Sequence, residues 1–304
     1  MLLGTWLLVL VLFTAVTCST VVAAPALSLK CVTFNLLHGG VFSGLTGNAQ
    51  DLDRRLEMVA EELRALGADV IGLQEASTGR ERGNVAERLA AQLGFHYVYA
   101  PASFRLFANE KINALIAWVM NFTEGPAIIS RFPIVTWEAQ DLPRCGRFTD
   151  PRVLLCAELQ TPWGHLQVCS THLSGNPCQA KSVVDFMRDR RNALPLLLMG
   201  DFNALERSPT ITAFTKEAGF VDTFRVANPS APGFTVWQWV YASRPTVFRR
   251  VDYLFLVPGT EFPGRVLSSR VVLNTPQRLP DGQTLWPSDH YGVLTEVEVL
   301  PPPV

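Results

Sequence analysis

Residues 194–204 read LPLLLMGDFNA: Leu194, Leu196, Leu197, Leu198 and Met199 surround one proline, and the run breaks off into Gly200, Asp201, Phe202 and Asn203. An apolar run of that length bounded by glycine reads as a strand buried on both faces. Side chains two apart on a strand point the same way. Asp201 and Asn203 therefore project together from the edge of a core. Taken alone, such a pair closes a turn, because Asp and Asn readily bond their own backbone. The rest of the chain decides whether it does more.

The 304 residues are 48% hydrophobic and 17% charged, ample for a sizeable core in one large or two small domains. A formal net charge of -1 gives no long-range attraction for polyanions, while a local basic groove stays compatible with it. The first charged side chain is Lys30, and LLVLVLF and VVAAPA precede it. Residues 1–26 thus read as a signal peptide cut near Ala24 or Ala26, without the usual basic start, or as an uncleaved N-terminal anchor. Either way the mature chain is expected to be exported: secreted, periplasmic or anchored outside the cytoplasm. Cys18 lies inside this leader in a poor lipoprotein context. Cys31, Cys145, Cys156, Cys169 and Cys178 remain, an odd number without CxxC spacing, which argues against structural zinc. Cys145 and Cys178, beside turn residues, are the ones expected to be oxidised. Cys31, Cys156 and Cys169 sit in strand-like runs and read as small buried hydrophobes. The pairing stays open.

CVTFNLL and ADVIGLQE read as strands, and residues 51–67 between them place Leu52, Leu56, Val59, Leu63 and Leu66 on one helix face, with Gly67 as a stop. NVAERLAAQLG is a second amphipathic helix. FHYVYA, NALIAWV, PAIISRFPI, VLLCAELQ and HLQVCSTHL read as short strand-like runs. A helix over 179–190 leads into the opening strand, another opens near Ser208, and RRVDYLFLV and HYGVLTEVEV are the last strands. No linker interrupts this series, so one domain is expected over 27–299, with a Pro-rich tail at 300–304. Strand meanders mixed with crossover helices imply two packed sheets flanked by helices. VIGLQE and LLLMGDFN form a weak internal echo.

Six strand segments carry polar groups at an end: Asn35; Glu75; His172; Asp201 with Asn203; Asp252; and Asp289 with His290. Each has an ordinary reading as a turn former, a cap, a solvated end or a satisfied core histidine. Together they put carboxylates, amides and imidazoles repeatedly against apolar strands, which is unfavourable unless they converge on a cation or an anionic substrate.

In order and wording, FNLL, LQE, IISRFPI, STHL, GDFN, RVDYLF and SDHYGV resemble the endonuclease/exonuclease/phosphatase superfamily, which includes pancreatic deoxyribonuclease and bacterial neutral sphingomyelinases. The resemblance covers nearly the whole mature chain. It implies a four-layered α/β sandwich of two packed mixed β-sheets flanked by helices, hydrolysing a phosphoester, most often a phosphodiester, with water and a divalent metal. Carried over, Glu75 is the main metal ligand with Asn35 beside it and Asp289 as an auxiliary ligand. Few carboxylates suit Mg²⁺, with Mn²⁺ as an alternative. Asp201 is the base or water-orienting group, Asn203 holds a phosphate oxygen, His290 is the phosphate-binding imidazole kept protonated by Asp252, and His172 is a second phosphate contact. No covalent intermediate is needed, and Cys169 reads as a packed strand residue.

One departure from the family stands out. Several family nucleases have a phosphate-contacting tyrosine before the IISR-like strand. Here that segment offers Trp118 and Phe122, with Arg131 as a substitute contact or a surface ion pair and Glu124 unassigned. Nucleic acid, phospholipid head groups, sugar or inositol phosphates and small phosphodiesters remain as substrates. The aromatic stretch from Trp237 to Tyr241 leads toward Asp252 and either packs in the core, touches a membrane interface or stacks on bases. A sphingomyelinase-like activity ranks ahead of a secreted nuclease, a monomer is expected, and an inactive binding module on the same fold is the non-enzymatic alternative.

Overall fold

The computed structural model describes residues 27–38, 48–102, 109–145, 151–162 and 164–299. The expected leader and Pro-rich tail lie outside the described residues. The helices are α1 (Leu52–Leu66), α2 (Val85–Leu93), α3 (Glu110–Met120), α4 (Pro177–Arg188), α5 (Pro209–Thr212) and α6 (Thr223–Ala227). The strands are β1 (Leu27–Asn35), β2 (Val70–Gly79), β3 (Gly83–Asn84), β4 (His96–Tyr99), β5 (Thr123–Ser130), β6 (Ile134–Asp141), β7 (Val153–Thr161), β8 (Gly164–His172), β9 (Leu196–Asp201), β10 (Val221–Asp222), β11 (Asp252–Val257), β12 (Arg265–Val272), β13 (Gln277–Arg278), β14 (Thr284–Leu285) and β15 (Gly292–Val299). α1 buries Leu52, Leu56, Val59 and Leu63 and ends at Gly67, whose φ of 64° is the left-handed cap that glycine adopts without a Cβ penalty. The Asn84 side chain starts α2 by accepting from the amides of Ala86 and Glu87.

One sheet runs β12-β15-β1-β2-β5-β4, with β3 beside β2; the other runs β10-β11-β9-β8-β7-β6. Among the described residues each sheet is antiparallel except for one pair, β1 with β2 and β8 with β9. Parallel neighbours need a crossover, which α1 and α4 supply. The echo between VIGLQE and LLLMGDFN is therefore architectural: each lies in the second strand of a parallel pair, although only β9 ends at its carboxylate, since β2 runs on past Glu75 to Gly79. Between the sheets lie Val70, Ile128, Leu155, Val168, Leu197 and Leu254. α1 and α2 cover the outer face of the first sheet through Phe34, Ile71 and Leu73, and α4 covers the second through Leu198, Tyr253 and Phe255. The result is the helix, sheet, sheet, helix sandwich expected from the sequence. The sheets approach closely at Gly72, where an added Cβ would come within 2.7 Å of the Met199 Cβ.

Two readings are corrected. NALIAWV is not a strand but the body of α3. Its run of apolar residues without turn signals fits either element, and here Leu115 and Trp118 are 58% and 66% exposed. Cys156 and Cys169 are buried, but as a disulfide and not as two packed thiols. They face each other directly across β7 and β8, with Cα atoms 4.1 Å apart. Cys145 and Cys178 form the other bridge, and Cys31 is a buried free thiol. Thiol titration of unreduced chain lacking the leader is expected to find none in the folded state and one, Cys31, in denaturant; three or more would mean that a bridge is missing.

Candidate active site

The carboxyl ends of both parallel pairs open at the same place. In the second sheet Asp252 of β11 stands opposite Asp201 of β9, and Asp201 opposite His172 of β8, so three polar residues form one row across the sheet. In the first sheet Asn35 of β1 stands opposite Gln74, next to Glu75. Strict alternation would send Glu75 under the helices with Leu73. Instead the register of β2 shifts between Leu73 and Ala76, and Glu75 takes a φ of 55°, rare for a residue with a Cβ. This bulge, inside β2 and not at its end, re-aims the carboxylate toward Asn35 at the end of β1. Asn203 and Leu37 also have positive φ, 48° and 55°. Such conformations persist only where the surroundings hold them, and they cluster at working sites.

Hydrogen bonds join the two sheets. Asn35 Nδ2 donates to Glu75 Oε1 and to Asp201 Oδ2, each at 3.1 Å, while its oxygen accepts from the Leu37 amide. Asp201 Oδ1 accepts from the Asn203 amide at 2.8 Å. Asp201 Oδ2 also lies 3.4 Å from His172 Nε2 and 3.7 Å from His290 Nε2. His290 Nδ1 pairs with Asp252 Oδ2 at 2.9 Å. Asn203 Nδ2 donates to His172 Nε2 and to the Leu173 carbonyl, so donation to a phosphate oxygen would exchange one of these bonds. Asp289 accepts the Trp237 indole N–H on Oδ2 at 3.0 Å. Behind these groups the buried guanidinium of Arg55 donates to the carbonyls of Leu36, Leu37 and Pro287, pinning the segments that carry Asn35 and Asp289.

The protonation pattern follows from this layout. Burial, then the nearby Asp252 charge, pushes Asp201 up to about 7. Burial opposes a charge on His290, but Asp252 and Asp201 outweigh it and hold the imidazole well above its ordinary value. His172 goes the other way, lowered by burial and by the charge of Arg152; neutral, it can accept the Asn203 amide proton on Nε2. Burial also raises Asp289.

His38, absent from the sequence-derived set, sits beside Glu75: its Nε2 is 3.3 Å from Glu75 Oε2 and 2.9 Å from Glu124 Oε2. Burial works against its charge, yet the bond to Glu124 and the charges of Glu75 and Glu124 raise it to about 9. His38, Glu75 and Glu124 place their ligand atoms within 4.8 Å of one another, as do Asp201, Asp252 and His290. The two half-buried carboxylates of the first group are chemically suited to a hard divalent ion that keeps several waters, while His38 could join them as a ligand only by giving up its proton.

All eight sequence-selected residues are found around this edge: Asn35, Glu75, Asp201, His172 and Asn203 in one hydrogen-bonded cluster, Asp252 with His290 against Asp201, and Asp289 at the rim. A comparison with family profiles matches residues 32–290 to the Endonuclease/Exonuclease/phosphatase family. The chain belongs to this family. Its members are phosphoester hydrolases, among them phosphatases and nucleases. The fold is similar to that of an endonuclease/exonuclease/phosphatase family protein from Bacteroides thetaiotaomicron (18% identity, 90% of this chain and 96% of that one, TM-score 0.68). It is also similar to a mannosyl-6-phosphatase of Bacteroides thetaiotaomicron (19%, 88% and 99%, 0.66) and to the human Nocturnin catalytic domain with bound sulfate (18%, 90% and 93%, 0.64). A search of curated proteins returns no match.

Three features lie outside the sequence-derived set. His38 and Arg152 had no motif to flag them, and Glu124 had a place but no role. Arg131 proves to be an ion-pair partner of Asp69, beyond the far end of β5 from Glu124. Asp201 must be ionised to accept a proton, so kcat/KM is expected to rise with pH through about 7. Asp201→Asn should abolish that limb and lower kcat by roughly 10²- to 10⁴-fold; an unchanged pH–rate profile in the variant would remove Asp201 from the base role.

Proposed function

We propose that the chain is an exported, divalent-metal-dependent phosphoester hydrolase that acts on a phosphodiester by direct in-line attack of water. The carrying observation is the convergence on Asp201 Oδ2 of Asn35 from one sheet and of His172 and His290 on the other side, beside the Glu75 carboxylate. Asp201 orients the attacking water and takes its proton. His290, kept cationic by Asp252, stabilises negative charge growing on the phosphoryl oxygens. Asn203 holds one of those oxygens, and His172 orients the Asn203 amide. Glu75, with Asn35, Glu124 and Asp289 around it, is the group that would hold Mg²⁺ or Mn²⁺. When bound, the metal would polarise a phosphoryl oxygen and offset charge on the leaving group. Two disulfides support export, since such bridges persist in oxidising compartments.

Within phosphodiesters, one observation favours a phospholipid. Trp237 and Trp239 are not core residues; they are 57% and 75% exposed, and the Trp237 indole is bonded to Asp289 at the rim of the site. Indoles favour the headgroup depth of a bilayer, and this placement would bring the cleft to a membrane surface. The deciding assay pairs wild type with Glu75→Gln, with Mg²⁺, Mn²⁺ or EDTA, on bis-p-nitrophenyl phosphate, sphingomyelin vesicles, plasmid DNA and single-stranded RNA. Wild type should turn over a diester only with metal, and Glu75→Gln should lose that turnover while staying folded. Full activity of the variant in EDTA would overturn the metal assignment, and no turnover on any substrate would favour a binding module.

A further inference from the structure

The SDHYGV segment gave roles to Asp289 and His290 and none to Ser288, whose side chain is completely buried. The ladder between β1 and β15 runs out at Thr33 opposite Val293, short of both Asn35 and His290. Past that point the chain entering β15 pairs elsewhere: His290 bridges to Val236, the Tyr291 amide donates to the Thr235 carbonyl, and the Gln238 amide donates to the Asp289 carbonyl. The ladder alone therefore does not fix where His290 stands relative to Asn35. The Ser288 hydroxyl crosses this gap. Its Oγ donates to the Asn35 carbonyl at 2.7 Å and accepts from the His290 amide at 3.3 Å. A hydroxyl has one proton to give, and Asp289 Oδ1, at 3.3 Å, is the more distant acceptor for it.

The two residues joined in this way belong to different clusters. Asn35 bonds Glu75 on the side suited to a divalent ion, and His290 carries the charge that Asp252 maintains beside Asp201. Resting on the hydrolase reading above, we propose that Ser288 is a positioning residue that sets the spacing between these two clusters and so couples the binding of a divalent ion to the binding of phosphate. The link is short: one oxygen lies between two backbones, with no long side chain to rotate. A buried polar group bonded on both sides rigidifies what it joins. Arg55 braces the same two segments from Leu36 and Leu37 to Pro287, so removal of the hydroxyl leaves one brace in place. Misplacing reacting partners by about 1 Å can cost about 100-fold in rate. Loss of the Ser288 hydroxyl therefore acts on how the two clusters work together and not on either one alone.

The test is calorimetric titration of inorganic phosphate into the mature full chain, without metal and with saturating Mg²⁺, for wild type, Ser288→Ala and Ser288→Cys, with melting temperature followed in parallel. In wild type Mg²⁺ should tighten phosphate binding, by roughly 5- to 150-fold for a coupling of ordinary size. In Ser288→Ala that factor should fall toward one, while phosphate without metal binds as it does to wild type. Ser288→Cys, whose thiol is a weak donor, should fall between the two. A serine that merely braced the fold would lower the melting temperature and leave the coupling factor alone. A wild-type factor in Ser288→Ala therefore overturns the assignment while the proposed hydrolase stands; if Ser288→Ala does not fold, a wild-type factor in Ser288→Cys does the same. Wild type that binds no phosphate, or binds it equally with and without Mg²⁺, overturns both.

Discussion

The carboxylate of Asp201 is the point on which the two halves of the molecule depend. It is almost fully buried, and a buried carboxylate is costly unless paired and hydrogen-bonded. Its partners come from different elements: Asn35 from the end of β1, the Asn203 amide from just beyond β9, and the His172 and His290 rings from β8 and the segment before β15. No single sheet could supply them. Satisfying one oxygen pair thus requires the two sheets to pack with their parallel pairs in register, and the close contact of Gly72 with Met199 permits it.

Around that carboxylate the charges are arranged in two groups with different chemistry. On the side of the second sheet Asp201, Asp252 and His290 form a buried relay in which neighbouring acids keep the imidazole cationic. On the side of the first sheet Glu75 and Glu124 leave an acidic edge with His38 between them. The hydrolysis by water proposed above would use both: the first group for a base with a fixed cation, the second as a place that would hold a divalent ion. The bulge at Glu75 is what brings the second group within reach of the first.

Much of this was written in the sequence because strand ends are local. An apolar run that stops at Gly-Asp-Phe-Asn announces both a buried strand and what stands at its edge, and the same grammar placed Asn35, His172 and Asp252; Glu75, expected at a strand end, lies instead at the bulge inside β2, which runs on to Gly79. Long-range pairing was harder to see. Cys156 and Cys169 lie equally far from the turn that closes the β7–β8 hairpin, a signal that becomes readable only once the hairpin register is known. α3 misled because an apolar run without a turn signal carries no strong period, and its exposed side chains gave no core face to reveal the helix.

A crystal structure of the mature chain grown with Mn²⁺ and phosphate tests most directly whether the two strand-end clusters form one site, since Mn²⁺ can be located by its anomalous scattering. The expected result is a metal peak on the Glu75 carboxylate and a phosphate on the same edge, within hydrogen-bond distance of His290 and Asn203 and facing Asp201. Mn²⁺ bound away from Glu75, or phosphate seated at another face of the sandwich, would contradict a site shared between the sheets.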